Sequence, residues 1–115
     1  MGGSRDLNSL GVPEELKVIL REFVERVRVQ LGSVEVYLFG SYARGDWLRD
    51  SDVDLIVVSP AFRGLNVSER YLLVRRLLPD TISVELLLYT PEEFERPRGR
   101  SVILKDAEKY WVRLL

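Results

Sequence analysis

Hydrophobic spacing divides the chain into distinct segments. Leu16, Ile19, Leu20, Phe23, Val24, Val27 and Leu31 recur at steps of three and four, which predicts an amphipathic helix over Pro13–Leu31. Pro13, Glu14 and Glu15 suit its first turn, where proline lacks no needed N–H and the acids face the positive end of the dipole. Gly32 closes it. Val34, Val36, Leu38 and Phe39 read as a strand that Gly40 cuts off. Ser41 then stands where a short helix would start, and Gly45 where it would stop. From Val53 to Val58 nearly every residue is apolar, which implies a strand covered on at least part of both faces.

The second half is less regular. Ser59-Pro60 breaks the strand, and residues 61–65 form a loop holding Gly64. Asn66 with Glu69 has the spacing of a capping box, opening a helix that carries Tyr71, Leu72, Val74, Leu77 and Leu78 inward and ends at Pro79. Ile82 to Tyr89 reads as a third strand with one acid, Glu85, in its middle. Thr90-Pro91-Glu92-Glu93 starts a helix, which the basic run Arg96-Pro97-Arg98-Gly99-Arg100 is expected to break as a loop. That loop is either a solvated surface or a patch for a triphosphate or an acidic partner. A short helix at Ser101–Leu104 and a final strand at Tyr110–Leu115 complete the chain, the strand's apolar content suggesting docking on the sheet or on another subunit. Residues 1–12 lack periodicity and are expected to be a flexible lead-in. The resulting expectation is one domain, 1–115, of α/β (α+β) class. It has a small mixed sheet with helices packed on one face and the acidic residues at the other.

Composition narrows the chemistry. The 115 residues carry 17 basic and 18 acidic side chains, a net charge of −1, so no basic field points to autonomous nucleic-acid binding. The absence of cysteine excludes disulfides, thiolate zinc sites and a cysteine nucleophile. The absence of histidine excludes serine–histidine triads and leaves acid–base work to carboxylates, Lys, Tyr or water. Without a membrane-length apolar run or a signal-peptide pattern, a cytoplasmic protein with no membrane attachment is expected. Scarce amide residues with abundant Arg and Glu hint at a thermophile.

Against that background two short patterns stand out. Asp52 and Asp54 lie two apart at the start of a strand, so their side chains share one face. Paired carboxylates repel unless a proton or cation lies between them, and an all-oxygen pair suits Mg2+. Gly40-Ser41 offers the complement, a bare backbone and free helical N–H groups for a phosphate. Glu85 has two readings: a solvent-facing acid on an edge strand, or a third carboxylate beside the aspartates. Arg44 is either a phosphate partner or a helix-surface residue. Ser51 either helps fix the loop before Asp52 for nucleotide binding or is only a turn residue. Tyr42 and Trp47 either stack on a base or pack locally.

Leu38-Phe39-Gly40-Ser41, ten residues, Asp52-Val53-Asp54 and a later acid resemble the DNA polymerase β-type nucleotidyltransferase superfamily. The block from Gly40 to Gly45 and from Ser51 to Leu55 most resembles its smallest branch, the minimal nucleotidyltransferases of archaea and bacteria. The likeness covers about Val34 to Tyr89. It implies a nucleotidyltransferase fold and two Mg2+ ions held by Asp52, Asp54 and Glu85. It also implies ATP as substrate, with its triphosphate on Gly40 and Ser41 and with Arg44 and Ser51 in support. The branch's third acid is usually aspartate; Glu85 is one methylene longer, as in related antibiotic-modifying nucleotidyltransferases. Members of the branch are typically encoded beside a HEPN-domain toxin and transfer AMP to a tyrosine of that partner. The resemblance therefore implies a protein adenylyltransferase antitoxin that forms a hetero-oligomer. The alternatives are a non-catalytic nucleotide-binding module that neutralises the partner by contact, and transfer to a small molecule or RNA end.

Overall fold

Strand β2 (Val53–Val58) lies inside a four-stranded sheet of order β3-β2-β1-β4 in a computed structural model that describes residues 6–98 and 102–115. β1 (Glu35–Phe39) pairs with it antiparallel, Phe39 opposite Asp54, and β3 (Val84–Tyr89) pairs with it parallel, Asp54 opposite Glu85. The sheet is mixed, as the pattern predicts. Alternation along β1 and β2 splits their side chains between two cores. Val36, Leu38, Val53, Leu55 and Val57 meet Leu20, Phe23 and Val27 of α1 (Glu14–Leu31) together with Val74 of α3 (Val67–Arg75). Tyr37, Phe39, Ile56 and Val58 face the other way.

α1 and α3 share one face with the carboxylates at the other, as expected, but that second face carries two helices that the expectation left out. Phe94 of α4 (Pro91–Arg98) and Leu104 and Ala107 of α5 (Val102–Glu108) cover it. A reciprocal cap starts α4: the Thr90 amide donates to Glu93 at 2.9 Å and the Glu93 amide to Thr90 Oγ1 at 3.2 Å. This helix runs on to Arg98, so Arg96 to Arg98 are helical rather than loop, and the rest of the expected basic loop, Gly99 and Arg100, lies outside the described residues. Phe94 is the buried apolar anchor among the described side chains of α4, so the start of the helix is legible in advance and its run through Arg98 is not.

The flanking segments depart from expectation in part. On α3 the Asn66–Glu69 capping box forms with reciprocal bonds of 2.8 and 2.9 Å, but Tyr71 (40% exposed) and Leu72 (68%) face outward, while Val74 and Leu78 are buried. The lead-in is not loose from Asp6 onward: Asp6 and Ser9 cap a 3-10 turn at Leu7–Ser9, and Leu10 and Val12 enter the core. Residues 1–5 of that expected lead-in lie outside the described residues. The C-terminal segment does dock on the sheet, as β4 (Val112–Arg113) antiparallel to β1, with the Leu114 amide 2.7 Å from the Val36 carbonyl. No helix among the described residues is long and apolar enough to cross a membrane.

Candidate active site

The site grows from the ends of three adjacent elements. β1 stops at Phe39 and turns directly into α2 (Gly40–Arg44), which Gly45 ends in the left-handed region, φ 94°, its amide donating to Ser41 at 2.9 Å. Gly40 has φ 74°, which L side chains rarely adopt, and a Cβ there would fall 1.9 Å from Asp54 Oδ2. Only glycine fits. The turn and the carboxylate that the sequence placed fourteen positions apart are thus in van der Waals contact.

Asp54 lies against Gly40 at the end of β1 and, through the parallel register, stands opposite Glu85 on β3. Glu85 is exposed on the edge strand, yet it stands beside Asp54 in the register and its carboxyl helps raise the Asp54 pKa. Burial first, then the bond to Glu85 and the charges of Glu85 and Asp52, raise the Asp54 pKa from 3.8 to about 7, while the Arg44 charge pulls it down. Asp54 can thus keep a proton near neutral pH. Asp52 is exposed and acts on the pair through its charge. Among the described residues no three acidic side chains converge as a ready-made metal cage. What the fold supplies is a touching pair with a third charge alongside.

A cleft of about 560 Å³ opens over these groups, lined by Phe39, Gly40, Ser41, Arg44 and Ser51 together with Asp52, Asp54 and Glu85. The seven residues expected to hold metal and triphosphate all line it. Arg44 is exposed and tied to Asp46 at 3.3 Å. The Ser51 hydroxyl accepts from the Leu48 amide at 2.7 Å, closing the turn that delivers Asp52. Tyr42 and Trp47 settle into local packing: their rings stack at 5.3 Å, and Trp47 Nε1 donates to the Gly11 carbonyl at 3.2 Å. The remaining wall, Ile103, Asp106, Ala107 and Tyr110, escaped the sequence reading. Its spacing of three, four and seven was the available signal, hidden by the expectation that the helix stopped at Leu104.

Comparison with known proteins follows the same outline. The model of the nucleotidyltransferase domain family matches residues 16–110. A Methanocaldococcus jannaschii protein provisionally named a protein adenylyltransferase is 29% identical over 92 residues, 80% of this chain and 91% of that protein. The protein adenylyltransferase MntA of Thermococcus cleftensis is 43% identical over 44 residues, 38% of this chain and less than half, 44%, of that relative's length. Among solved structures, a Sulfolobus solfataricus protein provisionally described as a nucleotidyltransferase superposes with a TM-score of 0.57 at 31% identity, covering 84% of each chain. A toxin–antitoxin structure with AMP-PNP shares the fold, at TM-score 0.60 and 23% identity over 84% of this chain and 72% of that one.

Proposed function

The chain belongs to the nucleotidyltransferase domain family, and from that premise we propose that it transfers AMP from ATP, with Mg2+, to a tyrosine hydroxyl of a HEPN-domain partner. The observation that carries the catalytic part is the Asp54–Glu85 contact directly beneath Gly40. A carboxyl that partial burial and then a neighbouring carboxyl leave protonated near pH 7 forms, with that neighbour, a site where a divalent cation can replace the proton. Asp52, Asp54 and Glu85 are the residues that would hold two such ions. When bound, the ions would offset the charge of the triphosphate and of the attacking and leaving oxygens.

The chain's own groups do the rest. The Gly40–Ser41 backbone and the Ser41 hydroxyl bind the phosphates, with Arg44 as a charge partner at the cleft wall. Ser51 keeps the loop before Asp52 in place. Glu85 takes the proton of the acceptor hydroxyl as that oxygen bonds to the α-phosphorus. The bond from the α-phosphorus to the bridging oxygen breaks, and pyrophosphate leaves. A protein acceptor accords with the adenylyltransferase name of two relatives and with the toxin–antitoxin neighbour.

Incubation with ATP labelled on the α-phosphate, Mg2+ and the neighbouring gene's product tests this reading. Label should appear on a partner tyrosine and vanish with Asp52→Asn or Asp54→Asn. A partner that is bound and neutralised without label would make the chain a binding module instead.

A further inference from the structure

The cleft has a wall that phosphate binding does not use. Ile103, Asp106, Ala107 and Tyr110 lie at i, i+3, i+4 and i+7, so helical geometry puts them on one face of α5 and the turn after it. The Tyr110 amide donates to the Ala107 carbonyl at 3.1 Å, which keeps that turn in register with the helix. Leu104 and Ala107 are buried against the sheet, yet Ile103 is 60% and Tyr110 45% exposed. Two large apolar side chains therefore border the open cleft with a carboxylate between them.

This mixture excludes one end of the substrate and suits the other. Asp106 is an acceptor when ionised and repels a phosphate, so the triphosphate belongs at the Ser41 and Arg44 side. A nucleoside presents the complementary groups: a flat apolar face, and N–H or O–H donors at its edge. The cleft volume of about 560 Å³ lies within the range of small-molecule sites, so both halves of one nucleotide can share it.

We propose that the α5 wall seats the nucleoside half of the triphosphate. The base lies against Tyr110 and Ile103, and a base amino group or ribose hydroxyl donates to Asp106. The inference rests on the reading of this cleft as a triphosphate site, and the test separates the two.

The full chain is titrated calorimetrically, in Mg2+, with ATP and with inorganic tripolyphosphate, which has no nucleoside. Because stacking of a base on an aromatic ring is lost with alanine, Tyr110→Ala should weaken ATP binding about tenfold or more and leave tripolyphosphate unchanged. Tyr110→Phe, which keeps the ring, should bind ATP like the wild type. Asp106→Asn should also weaken ATP, and the analogue for which that loss disappears, 2′-deoxy-ATP or ITP, identifies the donor. Tyr110→Ala binding ATP as tightly as the wild type overturns the inference, as does an equal loss for ATP and tripolyphosphate. A wild type that binds neither overturns the triphosphate reading as well; one that binds ATP with every wall variant unchanged overturns this inference alone.

Discussion

Replacing Asp54 with Asn should make the metal-free protein more stable at neutral pH. Asp54 has a pKa of about 7 in the folded chain against 3.8 for the free side chain. The folded state therefore holds this proton more tightly than the unfolded state, and between those values stability falls as pH rises. Below pH 3.8 both states are protonated and no cost exists; above about pH 7 the cost is complete. At 1.36 kcal/mol per pH unit, the gap from 3.8 to about 7 sets a ceiling of about 4 kcal/mol. The carboxyl is only half-buried, so solvent screening reduces that to roughly 2 kcal/mol. For a domain of this size that is a shift in Tm of roughly 8 °C. Thermal melts of wild type and Asp54→Asn in EDTA, from about pH 4 to pH 8, measure it as a difference in which the other titrating groups largely cancel. The variant should gain on the wild type as pH rises. Adding Mg2+ at pH 8 should then stabilise the wild type and not the variant. A difference that stays flat, or that moves in favour of the wild type, would refute the electrostatic argument.

Further outcomes follow from individual contacts. Gly40→Ala forces a left-handed alanine against Asp54, so it should cost about 1–2 kcal/mol in a chemical denaturation series and abolish label transfer. Asn66→Ala removes the N-terminal cap of α3, far from the cleft, and should lower stability by about 1 kcal/mol while transfer persists. Arg70 donates to Glu93 at 2.6 and 3.1 Å and to the carbonyls of Leu65 and Leu88, joining α3 to α4 and the edge of β3. Arg70→Met should cost about 2 kcal/mol by urea denaturation, because the bonds it loses are charge-assisted.

Much of this molecule is written locally. The stripe from Leu16 to Leu31 and the apolar run of β2 need only their own periodicity, and both form as read. Gly40-Ser41 and Asp52/Asp54 are legible because their chemistry depends on residue type and close spacing, and a strand's two-residue repeat already puts both aspartates on one face. Other features depend on partners far along the chain. Tyr71 and Leu72 fit an inward face by composition and yet point out, since α3 and the turn after it are buried through Val74 and Leu78. α4 and α5 cover the carboxylate face, which their own residues do not announce, and α5 thereby adds a wall to the cleft. Glu85 is exposed on the edge strand, and only the parallel register of β3 on β2 sets it opposite Asp54, thirty-one positions earlier. Periodicity tells a segment that it has a face to bury; which other segment meets that face, and in what register, is decided only when the sheet assembles.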